Sequence, residues 1–129
     1  MLKAKDVMTK KVITISPEAT LVDVIELLEA KRITGVPVVD DEKVIGIITE
    51  KDILNFAFAY VASLQNTKVK EAMTKNVVSF TSDTDIDKIS LCFSKSDIRR
   101  VPIIDEGRLV GIISRKDLIH SLLSHHYKI

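Results

Sequence analysis

Two short stretches of the chain place a hydroxyl residue three positions before a carboxylate: Thr49-Glu50-Lys51-Asp52 and Ser114-Arg115-Lys116-Asp117. Each follows an apolar run, Gly46-Ile47-Ile48 in one case and Gly111-Ile112-Ile113 in the other. Two kinds of chemistry fit this spacing. One is helix capping, in which the hydroxyl and the acid trade hydrogen bonds with backbone N–H groups of the first turn; Glu or Gln is the usual acid there. An aspartate at that place also gains about 0.3–1 kcal/mol from the helix dipole. The other is recognition. A strand that ends just before a helix start leaves free N–H groups on the rim of a cleft. A short, acceptor-only carboxylate on that rim can take two hydrogen bonds from vicinal ribose hydroxyls.

The elements that must carry these groups are spelled twice. Residues 7–54 align without a gap on residues 72–119, at the offset that separates Met8 from Met73, 65 residues. Met8-Thr9-Lys10 returns as Met73-Thr74-Lys75, Val36-Pro37 as Val101-Pro102, Asp40 as Asp105, and Lys51-Asp52 as Lys116-Asp117. A tandem duplication explains so long a shared register. In each copy a short β-rich run comes first, KVITI or NVVSF. Ser16-Pro17-Glu18 then reads as a cap with proline in the first helical turn. Leu21, Val24, Ile25 and Leu28 recur at helical spacing, as do Ile86, Ile89 and Phe93. Gly35 lies near the end of the first helix, but Arg100 replaces it in the second copy, so an obligatory glycine cap is not supported. VPVV and VIGII, and likewise VPII and LVGII, read as buried strands joined by the polar turns DDEK and DEGR. The order per copy is β-α-β-β-α. The expected fold is mixed α/β, of the α+β kind, with one repeat over 5–64 and the other over 65–129.

Composition narrows the function. A chain of 129 residues, 46% hydrophobic and 29% charged, reads as a soluble globular protein. No run approaches a membrane span, and the opening MLKAKDVMTKK has no apolar signal core. A formal net charge of +1 supplies no field for drawing in nucleic acid or membrane. Cys92 is the one cysteine, which suits a reducing cytoplasm; it aligns with Leu27 on an apolar helix face and reads as packing, not as a nucleophile. His120, His125 and His126 lack the i, i+4 spacing of a zinc pair, so no metal site is expected. There is no phosphate-binding glycine loop and no duplicated His or Cys, which leaves an enzyme acting on nucleotides as the weaker alternative.

The doubled pattern, with Met-Thr at its head, Val-Pro in its middle and Val-Gly-Ile-Ile-[Ser/Thr]-x-x-Asp at its close, resembles tandem cystathionine-β-synthase (CBS) domains, the pair known as a Bateman module. The resemblance covers about residues 5–122. It implies two repeats packed sheet to sheet with approximate two-fold symmetry, and two clefts for adenosine-containing ligands such as AMP, ATP or S-adenosylmethionine. Carried over, Thr49 and Asp52 would hold the ribose in one cleft, with Asn76, Val77 and Val78 around the adenine. Ser114 and Asp117 would do so in the other, with Lys11, Val12 and Ile13 as the adenine wall. The phosphate side would be formed by Arg99 and Arg100 before Val101-Pro102, and by Thr34 and Gly35 before Val36-Pro37. Arginine suits phosphate because its planar fork donates two hydrogen bonds at once. The resemblance further implies a stand-alone regulatory module with no catalytic residue and no obligatory cofactor, which signals to an unidentified effector protein. A scaffold with unoccupied clefts is the alternative. The apolar stretches NFAFAYVASL (55–64) and IHSLLSHHY (119–127) leave helix surface to spare, and a homodimer through these second helices is expected.

Overall fold

The computed structural model describes residues 2–60 and 63–126, without the side chains of residues 58–60 and 125–126. In chain order the elements are α1 (Ala4–Val7), α2 (Leu21–Lys31), β1 (Gly35–Asp40), β2 (Lys43–Thr49), α3 (Glu50–Tyr60), α4 (Val69–Ala72), α5 (Ile86–Lys95), β3 (Arg100–Asp105), β4 (Arg108–Ser114) and α6 (Arg115–His126). They assemble into two compact units. The first comprises Ile13–Val77; the second combines Met1–Val12 with Val78–Ile129. Packing therefore divides the chain differently from the sequence repeat, because the segment that opens each copy joins the unit of the other copy.

In the first unit, Leu21, Val24 and Leu28 bury one face of α2 against Val36, Val38 and Ile48 of the hairpin and Ile53 of α3, with Val69 of α4 closing the core. The helical stripe read from the sequence is the buried one. In the second unit Ile86, Ile89 and Phe93 of α5 pack on Val101, Ile103 and Ile113, with Leu118 of α6 and Ala4 of α1. Both hairpins form as expected. β1 pairs antiparallel with β2 and β3 with β4, through two-residue turns. All four turn residues have positive φ: Asp41 (50°), Glu42 (68°), Glu106 (51°) and Gly107 (82°). That is the backbone a tight hairpin turn needs to match strand twist.

Three local features differ from the sequence reading. The opening runs KVITI and NVVSF are not full strands: each contributes a single parallel bridge, Ile15 to Val38 and Phe80 to Ile103. Pairing stops at once because Pro17 has no N–H to donate, and because Thr81 turns its N–H to Thr84 Oγ1 at 3.2 Å. Ser16 does not cap α2. It accepts from Glu18 N at 3.1 Å within a turn, and the helix starts later, at Leu21. Thr20 is the N-cap, accepting from Asp23 N at 3.2 Å while Asp23 accepts from Thr20 N at 2.9 Å, a reciprocal pair that satisfies two open donors. Gly35 opens β1 and does not end the helix; the left-handed residue that ends α2 is Arg32, with φ of 54°.

The one-turn helices α1 and α4 are absent from the sequence reading, and they are equivalents in the repeat. Each is stapled to the turn that precedes a long helix. Lys68 and Lys70 bridge Glu18 at 2.6 and 2.9 Å, while Lys5 bridges Asp83 at 3.7 Å and Lys3 pairs with Asp85. The two lysine hydrogen bonds hold the Glu18 carboxyl down at about 2, below its ordinary 4.5. Among the described residues no helix is long and apolar enough to cross a membrane.

Candidate functional site

Each of the two repeated acids sits where a strand hands over to a helix, and each is partly buried. In the first unit β2 ends at Thr49 and α3 starts at Glu50. Asp52 Oδ2 accepts from Thr49 N at 3.0 Å and from Thr49 Oγ1 at 3.1 Å, and Asp52 N donates to Thr49 Oγ1 at 3.3 Å. The second carboxylate oxygen is also taken: Oδ1 accepts from Thr74 Oγ1 at 3.0 Å. Thr74 reaches it because its backbone bridges Ile47 of β2, with N–H···O distances of 2.8 and 2.9 Å. Asn76 and Val77 follow in the same unit, Asn76 exposed and Val77 half-buried. Thr34 and Gly35 stand at the head of β1, beside the acid's strand. Gly35 pairs with Thr49, and Glu50 N donates to Thr34 O at 2.9 Å. Pro37 is fully buried opposite Ile47, and its carbonyl accepts from Ile15 N at 3.1 Å.

The second unit repeats this frame with fewer bonds on its acid. Asp117 Oδ2 accepts from Ser114 N at 3.2 Å, and Asp117 N donates to Ser114 Oγ at 3.1 Å. Asp117 Oδ1 accepts no hydrogen bond from any described residue, and the side chain lines an open groove between α1 and α6, beside Asp6, Lys116 and His120. Thr9, the equivalent of Thr74, bridges Ile112 of β4 at 2.9 and 3.0 Å, and Lys11 and Val12 follow it in this unit. Arg100 pairs with Ser114, and the carbonyl of Arg99, whose side chain is exposed, accepts from Arg115 N at 2.9 Å. Pro102 is buried opposite Ile112 and its carbonyl accepts from Phe80 N at 3.3 Å. Ile13 and Val78 belong each to the other unit from the acid with which the sequence grouped them.

Four residues take parts that the sequence reading did not give them. Thr74 engages Asp52; its only signal was the doubled Met-Thr. Met73 and Met8 lie over the two hairpin glycines: a Cβ added to Gly46 would meet Met73 Sδ at 2.7 Å and Thr74 O at 2.9 Å, and one added to Gly111 would meet Met8 Cγ at 2.7 Å. Only glycine admits that approach. Arg115 fills the middle of the Ser114-x-x-Asp117 phrase and donates Nε to Ile98 O at 2.8 Å and Nη2 to Ser96 O at 2.6 Å and Phe93 O at 3.3 Å.

Elsewhere the chemistry is sparse. Cys92 is half-buried and is in no disulfide. Among the described residues no group of three His, Cys, Asp or Glu could hold a metal ion; the side chains of His125 and His126 lie outside the described residues. On the second helices Leu54 is 68% and Ile119 64% exposed, with Leu122 and Leu123 also exposed. Of the rest of the expected dimer surface, the side chains of residues 58–60 and all of residues 61, 62 and 127 lie outside what the structure describes.

The profile of the CBS domain matches the chain twice, over residues 4–59 and 69–124. The chain belongs to the CBS-domain family, as a tandem pair. Among curated relatives it is 38% identical over 119 residues to inosine-5'-monophosphate dehydrogenase of Methanocaldococcus jannaschii, covering 91% of this chain and 23% of that protein. It thus spans about a quarter of that enzyme's length. It is also 32% identical over 125 residues to the CBS domain-containing protein YhcV of Bacillus subtilis, covering 97% of this chain and 89% of YhcV. Among solved structures it is similar to the CBS domain pair of MJ0100 in complex with 5'-methylthioadenosine and S-adenosyl-L-methionine, at 32% identity and TM-score 0.81 over 98% of both chains. CBSX2 in complex with AMP superposes with TM-score 0.87 at 25% identity, over 98% of this chain and 99% of that one.

Proposed function

We propose that the chain is a regulatory module that binds an adenine nucleotide, or a related adenosyl compound such as S-adenosylmethionine, and passes the signal to a partner protein. The observation that carries this reading is the twice-built acid at a strand-to-helix handover, above all Asp117, whose Oδ1 is left to accept from a ligand. Asp52 and Asp117 would hold the ribose hydroxyls, with Thr49 and Ser114 fixing each acid. Asn76 with Val77 and Val78, and Lys11 with Val12 and Ile13, would flank the adenine. Arg99 and Arg100, with Pro102 behind them, would meet phosphate in one site; Thr34, Gly35 and Pro37 take those places in the other. The adenosyl compounds held by the CBS pairs of MJ0100 and CBSX2 support the ligand class. In this reading the chain binds and signals, and no residue is assigned a catalytic role.

A thermal-shift panel of AMP, ADP, ATP, NAD and S-adenosylmethionine tests the reading. A bound compound at ~100 times its dissociation constant stabilises the fold by about 2.7 kcal/mol, which is several degrees for a chain this size. Asp117→Ala should abolish that shift for the compound that binds. A panel without any shift, or a shift that survives both Asp117→Ala and Asp52→Ala, would sink the assignment. The exposed Leu54, Ile119, Leu122 and Leu123 support pairing of two copies through α3 and α6; a monomer mass in sedimentation at micromolar concentration would reject that pairing.

A further inference from the structure

The loops that lead into β1 and β3, residues 32–34 and 96–99, are held by different means. α2 ends locally: Arg32 turns left-handed, its N–H returns to Glu29 O at 3.3 Å, and Ile33 N returns to Leu28 O at 3.1 Å. α5 ends on Ser96 in extended conformation, with φ −140° and ψ 172°. In its last turn Cys92 O is closed locally by Ser96 Oγ at 2.8 Å, while the Arg115 guanidinium closes Phe93 O and the C-cap carbonyl of Ser96 from outside. The same fork reaches Ile98 O, and Arg115 N reaches Arg99 O, so one residue grips the loop from Phe93 to Arg99. In the first unit the equivalent of Arg115 is Glu50, an acid that cannot donate from its side chain at neutral pH.

We propose that Arg115 is a positioning residue: it fixes the backbone of Arg99 and Arg100, and so makes the second unit's site the one that tells phosphorylated adenosyl ligands from uncharged ones. The proposal rests on the adenosyl reading above. Its physical basis is preorganisation. The Arg115 N–H groups point at three carbonyls, so this side chain is committed to the loop and not to a ligand. A planar guanidinium bonding several carbonyls removes backbone freedom that the exposed Arg99 would otherwise lose on meeting phosphate. The first unit keeps the backbone bond, Glu50 N to Thr34 O at 2.9 Å, but lacks the rest: Thr34-Gly35 replaces the arginine pair, the Glu50 side chain replaces the guanidinium clamp, and Asp52 has both oxygens engaged.

Calorimetry on the full chain with two probes, AMP and the uncharged 5'-methylthioadenosine, tests it. Arg115→Lys keeps the charge but loses the fork; AMP should weaken on the order of tenfold, while 5'-methylthioadenosine changes by less than about twofold. Arg115→Gln should give the same split, which keeps the test open if one variant folds poorly. In the Arg99→Gln/Arg100→Gln background, Arg115→Lys should cause no further loss of AMP affinity. An unchanged ratio of AMP to 5'-methylthioadenosine affinity overturns the proposal, as does a fully additive loss in that background. If the wild-type chain binds neither probe, the adenosyl reading itself falls.

Discussion

Asp52 and Asp117 are equivalent in the repeat, yet their removal should have unequal consequences in the ligand-free protein. The Asp52 carboxylate accepts from Thr49 N, Thr49 Oγ1 and Thr74 Oγ1, at 3.0, 3.1 and 3.0 Å. Among the described residues, the Asp117 carboxylate accepts from Ser114 N alone, at 3.2 Å. Loss of a helix-start acceptor costs about 1 kcal/mol in either unit. The two hydroxyl bonds on Asp52, partly solvated, add about 0.5–1 kcal/mol each. Asp52→Ala is therefore expected to lose about 2–3 kcal/mol and Asp117→Ala about 1 kcal/mol. At about 3–5 °C per kcal/mol, the two melting temperatures separate by several degrees. Urea unfolding of a double-mutant cycle isolates the cause. Thr74→Val with Asp52→Ala should couple by about 1 kcal/mol, while Thr9→Val with Asp117→Ala should add within about 0.3–0.5 kcal/mol. Equal coupling in both cycles would refute the view that the two acids are engaged differently.

Two further perturbations follow from the packing and the charges. Gly46→Ala and Gly111→Ala should each destabilise by about 1–3 kcal/mol through overpacking against methionine, measured by thermal melting. Met8→Ala should recover part of the Gly111→Ala loss, whereas Met73→Ala should recover less at Gly46, because Thr74 O is backbone and cannot swing aside; wild-type melting of both glycine variants would count against the close approach. The carboxyl of Glu18 lies below its unfolded value, so its contribution is present above about pH 4.5 and is lost as pH falls toward about 2. Asp105, held down by the Ser82 hydroxyl and backbone N–H, and Asp85, held down by Lys3, act in the same direction. Stability followed from pH 6 to pH 2 should decline, and Glu18→Gln should flatten part of that decline; an identical profile for the variant would dismiss Glu18 as a contributor.

Much of the architecture was legible because duplication doubles every signal. Leu21, Val24 and Leu28 repeat as Ile86, Ile89 and Phe93, and both triads line cores. The hairpins were readable from apolar runs around polar turns, even where Asp41 and Glu42, not glycine, adopt positive φ. Where the reading failed, a local rule competed with tertiary pairing. Ser16-Pro17 looked like a helix start, but Thr20 with Asp23 offered the better cap four residues on. KVITI and NVVSF had strand composition, yet each finds one bridging residue before the chain turns away. The role of Met-Thr was invisible, since nothing in its composition says that Thr74 meets Asp52 or that Met8 covers Gly111.

The sequence alone determined that this is a duplicated chain, with matched helices, matched hairpins and an acid three residues past each final strand, because periodicity and capping act within a few residues. Tertiary structure decided which segments share a core, sending residues 1–12 to pack with 78–129. It also decided that the matched acids are not equivalent. Hydrogen bonds from Thr74 and from Arg115 link residues about twenty positions apart, where spacing in sequence carries no information about distance.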